Sequence, residues 1–210
     1  MKQQTLLLTA ALSAATLLGF TPLAAAEEAP GTIYIRLRAV EIAPDVSSHV
    51  GNSTGQVTIT DTTIPEADIT YFFTDHWSVE VIAGTGKHSI YLKNGTYLGS
   101  AYLLPPAVTL QYHFDQIGPF KPYLGAGPQY TFFYNTSKDG ALGKLHLTDG
   151  FGFALQAGTD IPLTDNGVFL NIDVKKIFLQ TTASFGASST VTGHVNINPW
   201  LIGTGIGIKF

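Results

Sequence analysis

The sequence predicts an all-β protein: a closed, eight-stranded, antiparallel up-and-down transmembrane β-barrel with short periplasmic turns and long outer loops. Three observations carry this expectation. Charged residues make up 12% of the chain and hydrophobic residues 45%, whereas a soluble domain carries about 25% charged residues. Hydrophobicity alternates with a period of two along most of the chain, the pattern of strands whose two faces meet different surroundings. Beyond residue 26 no apolar run approaches about 18 residues, and Gly and Pro recur too often for long helices.

Residues 1–26 are expected to be a cleaved signal peptide and residues 27–210 the outer-membrane barrel domain. Lys2 gives a positive start, Leu6 to Phe20 an apolar stretch, and Ala24-Ala25-Ala26 a small-residue cleavage pattern followed by Glu27-Glu28. The apolar stretch falls short of the about 20 residues a membrane-spanning helix needs. Cys is absent, which excludes disulfide scaffolds and Cys-based metal or redox sites. A net charge of −4 offers no basic surface to nucleic acid.

Eight segments alternate. The last strand does so most clearly, with Trp200, Ile202, Thr204, Ile206, Ile208 and Phe210 on one parity and Leu201, Gly203, Gly205, Gly207 and Lys209 on the other. Residues 168–175, 151–161 and 108–114 follow the same rule, and residues 32–42, 65–74, 77–87 and 120–134 follow it more loosely. Three connections are short: Thr74-Asp75-His76, Asp115-Gln116-Ile117-Gly118 and Thr164-Asp165-Asn166-Gly167. The stretches 44–64, 88–103, 135–147 and 181–194 are long and are expected to be outer loops.

The polar face decides between a membrane barrel and a soluble one. It consists mostly of Gly, Ala, Asp, Gln and Lys, which would solvate an exterior poorly but fits a narrow interior. On this reading Gly207 faces the lumen and has room for a small polar group. Aromatic residues gather near strand ends (Tyr71, Phe73, Trp77, Tyr112, Phe114, Phe120, Tyr123, Tyr130, Phe132, Tyr134 and Trp200), as in the two girdles of outer-membrane barrels. An even strand count returns the C-terminus to the periplasm. The terminal Phe210, preceded by alternating apolar residues, is expected to be the signal read by the bacterial barrel-assembly machinery, and outer-membrane lipids are the expected surroundings.

The chain resembles the OmpW family of small outer-membrane barrels over nearly all of its mature length. The resemblance rests on Leu104-Pro105-Pro106-Ala107-Val108-Thr109-Leu110-Gln111-Tyr112-His113-Phe114 and Lys121-Pro122-Tyr123-Leu124-Gly125-Ala126-Gly127, with Tyr71 to Glu80 and Leu170 to Lys176 in support. Gly84-Thr85-Gly86-Lys87-His88 departs from the family, which often has Thr-Pro-Phe before Lys-His. The resemblance implies localisation in the bacterial outer membrane and passage of small hydrophobic molecules, with hydrocarbon uptake in some relatives.

Parity alone sorts the interior. It points Arg36, Arg38, Asp68, Glu80, Asp160, Asp173 and Lys175 inward, together with Gln111, His113 and Lys209. Cations and carboxylates are mixed, so buried ion pairs are expected, because an isolated buried charge is too costly. Such a layer either plugs the barrel or simply fills it. Toward the outer ends the inward set becomes Val40, Ile42, Phe133, Ile177, Leu179 and Leu201, giving a hydrophobic lumen above the ionic one. Pro105 and Pro106 cannot donate ladder hydrogen bonds. They mark either an ordinary strand start or a lateral gate into the membrane.

Catalytic readings find little support. Ser78 and His76 lie near a periplasmic turn, Ser89 and His88 face opposite ways in a strand, and no stretch resembles a nucleophile elbow. His49, His88, His146 and His194 fall in or beside the outer loops without metal-binding spacing and are expected to be solvated. Asn52, Asn94 and Asn135 read as ordinary polar loop residues. No cofactor and no metal is expected. The expected function is a narrow channel for passive uptake of a small hydrophobic permeant. The alternative is a structural barrel that anchors outer loops without transport.

Overall fold

The computed structural model describes residues 28–50, 57–136, 140–141, 143–185 and 191–210. The expected signal peptide, residues 1–26, and Asn52 lie outside the described residues. The chain forms β1 (Ile33–Ala43), β2 (Val46–Val50), β3 (Val57–Ile59), β4 (Thr62–Phe72), β5 (Trp77–Gly84), β6 (Gly86–Leu92), β7 (Tyr97–Leu104), β8 (Ala107–His113), β9 (Lys121–Tyr134), β10 (Leu145–Leu147), β11 (Gly150–Pro162), β12 (Val168–Phe185), β13 (Val191–Ile197) and β14 (Trp200–Lys209).

Strands β1, β4, β5, β8, β9, β11, β12 and β14 pair in that order, every pair antiparallel, and β14 closes on β1. The closure reaches the chain end. Ile33 N donates to Phe210 O (3.1 Å) and Phe210 N donates to Ile33 O (2.9 Å). Closure leaves no open edge among these eight strands, as lipid demands.

The periplasmic turns follow from local side chains. Thr74 Oγ1 accepts from the backbone N–H of Trp77 (2.8 Å), which tightens the β4–β5 turn. Gly167, at φ 84°, takes the left-handed conformation that the β11–β12 turn requires.

The outer side differs from expectation. Much of the described part of 44–64, 88–103 and 181–194, predicted as loops, is strand, and 135–147 contains the short β10. β6 and β7 form a hairpin, β7 continues onto β9, and β3 lies against β6. β13 pairs with β12, β2 with β13, and β10 with β12. β12 alone runs ten residues beyond its predicted end at 175. The predicted segment 77–87 is broken at Thr85 into β5 and β6. These segments carry their own alternation, Leu145/Leu147 and Val195/Ile197 among them. Each is short, so the pattern is weak until a neighbouring strand completes it.

Side-chain direction follows the predicted parity. Along β1, Ile33, Ile35 and Leu37 are exposed, while Tyr34, Arg36, Arg38, Val40 and Ile42 are buried. β14 exposes Trp200, Ile202, Ile206 and Ile208. An exterior this apolar is wetted by lipid and not by water. Trp77, Tyr112 and Phe114 form an outward aromatic row of edge-to-face contacts, with ring centroids 5.0 Å apart at each step. Two predictions need correction. Tyr123, placed in the aromatic girdle, is 1% exposed and points into the barrel, because β9 presents it on the same face as Gln129 and Thr131. Gly207 does face inward, but the Phe169 ring already fills its space: an added Cβ would lie 2.2 Å from Phe169 Cζ.

Candidate functional site

The interior is built in layers. At the periplasmic end Tyr34, Phe72 and Phe169 form an aromatic floor, with the Tyr34 ring 4.9 Å from Phe72 and 4.7 Å from Phe169. Sequence parity turns all three inward, on the same strand faces as Arg36, Asp68 and Asp173. Beneath the floor the Glu28 carboxylate sits between Lys121 Nζ (2.5 Å) and Lys209 Nζ (2.6 Å). Burial pushes the Glu28 carboxyl up, yet the two ammonium groups hold it below its usual range.

Above the floor lies the ionic layer. Arg36 Nη1 donates to Asp68 Oδ1 (2.9 Å), and Arg36 Nη2 to Asp160 Oδ2 (3.0 Å). Arg38 Nε lies 2.8 Å from Glu66 Oε1, and its Nη2 lies 2.8 Å from Asp68 Oδ2 and 3.0 Å from Glu80 Oε1. Lys175 Nζ meets Asp173 Oδ1 at 2.5 Å. Neutral donors reach three of the carboxylates. The Tyr123 hydroxyl donates to Asp173 (2.7 Å), Gln156 Nε2 to Glu80 (2.9 Å), and Asn171 Nδ2 to Asp160 (2.8 Å). All seven residues predicted for this layer are buried and meet within it. Glu66 also belongs to it. Glu66 shares the parity of Asp68, but it stands near the edge of its predicted segment.

The lumen turns apolar above this layer. Val40, Ile42, Ile177, Leu179 and Leu201 form one cluster with Ile64 and Ala154, and Phe133 packs against it. The six predicted lumen residues are therefore together. Gly86, part of the departure from the family pattern, lets the chain pass Ile64; an added Cβ would lie 2.4 Å from Ile64 Cγ2. The outer strands add a second apolar tier that includes Val57, Ile90, Leu98, Leu145 and Ile197. The two tiers line a cavity with about 80 Å³ of room for the centre of a water-sized sphere, and Glu66 and Lys175 are in its lining.

The His49 side chain lies outside the described residues, and the other three outer-loop histidines do not share one environment. His146 and His194 are exposed, as expected. His88 is 3% exposed and lines the cavity, which corrects its reading as a solvated residue. β6 runs as a strand, and its alternation turns His88 inward between Gly86 and Ile90. Among the described residues no cluster of His, Asp and Glu has metal-binding geometry.

Pro105 and Pro106 stand between β7 and β8. The register against β9 continues across them without a slip, from Leu104 opposite Phe132 to Ala107 opposite Gln129. Tyr130 N donates to Pro106 O (3.1 Å), but neither proline donates in return. Pro128 on β9 also lacks a donor. The β8–β9 pairing lapses beside it, resuming at Leu110 opposite Ala126. Sequence analysis had not linked Pro128 to this seam, because the link depends on register.

One serine–histidine contact was not anticipated. Ser78 Oγ lies 3.1 Å from His113 Nε2. The same nitrogen is 3.1 Å from Gln111 Oε1, and the ring packs on Phe72. Among the described residues no carboxylate orients the imidazole, so the pair lacks the third member of a catalytic triad.

Comparison with known proteins agrees with this architecture. The OmpW family profile matches residues 29–210. The uncharacterized outer-membrane protein y4mB of Sinorhizobium fredii is 41% identical over 84% of this chain and 79% of its own length. The dibenzothiophene metabolism operon protein PahQ of Pseudomonas aeruginosa is 30% identical over 88% of this chain and 90% of its own. The crystal structure of the outer membrane protein OprG from Pseudomonas aeruginosa superposes with a TM-score of 0.79 at 28% identity, covering 87% of this chain and 97% of that one. An eight-stranded barrel with a lipid-wetted exterior, matched by the family profile over its whole length, places this chain in the bacterial outer membrane as a member of the OmpW family.

Proposed function

We propose that the chain, after cleavage behind Ala26, forms a non-enzymatic channel for passive uptake of small hydrophobic molecules. A permeant enters at the outer mouth and settles among Phe133, Ile177, Leu179 and Leu201. It does not continue downward, because an alkyl chain gains nothing among paired charges and breaks their hydrogen bonds. The exit is sideways, through the seam beside Pro105 and Pro106, into the bilayer. The ionic layer acts as the plug that enforces this turn.

The observation that carries the reading is the apolar cavity resting directly on an ionic layer. Pro128 supports the exit: it stands two residues along β9 from Tyr130, which donates to Pro106, so Pro106 and Pro128 leave two donors missing from one stretch of ladder. The name of the relative PahQ, from a dibenzothiophene metabolism operon, is consistent with an apolar permeant. The test is uptake of a labelled alkane by cells with and without the barrel in an intact outer membrane. Uptake that depends on the barrel supports the channel. Uptake indifferent to the barrel favours a structural protein whose outer strands serve as an interaction surface.

A further inference from the structure

The apolar cavity contains two polar atoms without partners. His88 Nδ1 lies 2.8 Å from the Thr60 carbonyl oxygen. A carbonyl only accepts, so Nδ1 carries the proton, and Nε2 of the neutral ring is an acceptor. Burial holds this imidazole below the ordinary histidine range, which keeps it neutral at pH 7. Nε2 is buried with no hydrogen-bond partner among the described residues. The second atom is Oε1 of Gln129, a side chain 2% exposed. Gln129 Nε2 donates to Thr131 Oγ1 (2.5 Å), which leaves Oε1 free to accept.

Both residues line the cavity. A buried acceptor left unpaired is costly. A donor on the occupant removes the cost. The two acceptors do not serve one group at once. His88 stands opposite Ala101 on β7, and Gln129 opposite Ala107 on β8. Six residues of extended chain separate those levels, about 20 Å at the usual rise. His88 belongs to the outer tier. Gln129 lies next to Pro128, at the seam.

We propose that the cavity selects apolar molecules carrying one hydrogen-bond donor, of the class of medium-chain alcohols, over the matching hydrocarbons, with His88 as the outer station and Gln129 as the station at the lateral exit. The inference rests on the channel reading and narrows it. The polar end binds first at His88 while the tail fills the outer tier. It then exchanges to Gln129, which brings the molecule to the weakened ladder.

The test compares uptake of labelled 1-decanol and n-decane by cells carrying the barrel, H88F or Q129M. Each substitution is expected to lower the decanol-to-decane uptake ratio about fivefold, the worth of one net hydrogen bond. In lipid nanodiscs, decanol is expected to shift the His88 Nε2 nitrogen resonance, and decane to leave it in place. This NMR readout uses the unsubstituted barrel and stands if either variant fails to fold. An unchanged ratio in a folded variant, or no shift with decanol, overturns the two stations while leaving barrel-dependent uptake intact. If neither compound needs the barrel to enter, the channel reading itself fails, and this inference with it.

Discussion

Arg36 and Asp160 meet at 3.0 Å although 124 residues separate them in sequence. The contact links β1 to β11 across the lumen, so two walls of the barrel are tied by one guanidinium. Arg36 also holds Asp68 at 2.9 Å. Replacing it with Met should leave Asp160 without its cation and Asp68 with Arg38 alone, and cost about 3–5 kcal/mol. Unfolding titrations in lipid measure this directly. A loss under about 1 kcal/mol would show that the layer is filler without structural weight. Neutralising Glu80 should affect uptake less than stability, since Glu80 lies below the proposed route.

The exterior supplies a second prediction. Ile206 faces lipid and pairs with Leu37 on β1 and Leu170 on β12. Changing Ile206 to Arg should destabilise the barrel by about 1–3 kcal/mol, between the values for the bilayer midplane and its edge. Gly207→Ser should also destabilise, because the added atoms meet the Phe169 ring. A Gly207→Ser barrel as stable as the parent would mean that Phe169 does not occupy the lumen there.

Phe210 closes the barrel through its backbone and exposes its ring to lipid. Deleting it removes both hydrogen bonds to Ile33. We expect the deleted chain to fail to assemble, whether through lost closure or lost recognition by the assembly machinery. Heat-modifiable barrel found in the outer membrane after deletion would refute this. Phe210→Asp keeps the backbone bonds and so separates closure from recognition.

His76 gives a pH-dependent prediction. In the β4–β5 turn its ring lies 3.1 Å from Asp75 and 3.2 Å from Asp115. The hydrogen bond to Asp75 and then that to Asp115 raise the His76 pKa above its usual value. A raised folded-state pKa stabilises the turn below the unfolded value, and the effect is lost as pH rises through the folded one. NMR titration should place the His76 midpoint above 6.5, the ordinary value, and Asp75→Asn should lower it more than Asp115→Asn. A midpoint indifferent to both substitutions would remove these contacts from the account.

Much of the architecture was legible because a strand's two faces repeat every second residue. Parity sufficed to send Arg36, Asp173 and Lys175 inward and to gather Val40, Leu179 and Leu201 above them. Parity gives direction but no partner, so it did not show that Asn171 would serve Asp160 or that Pro128 would adjoin the seam. Those facts depend on register between strands distant in sequence. The outer tier was read as loop because three-residue pieces such as Leu145–Leu147 carry too little pattern alone. Tyr123 was misplaced for another reason. Aromatic residues near strand ends suggested a girdle, but its parity already pointed inward, toward Asp173.

The central claim is lateral exit beside Pro105 and Pro106. The chain has no Cys, so an introduced pair at Leu104 and Phe132, opposite one another on β7 and β9, adds a single bridge across the seam. The direct measurement is alkane uptake by cells carrying this pair, oxidised and then reduced, with Leu179→Asp and Leu201→Asp barrels alongside. The account predicts that oxidation slows uptake, that reduction restores it, and that each Asp variant lowers it about tenfold or more by placing a charge in the apolar lumen. Uptake unchanged by the bridge and by both Asp variants, in barrels that remain folded, would contradict it.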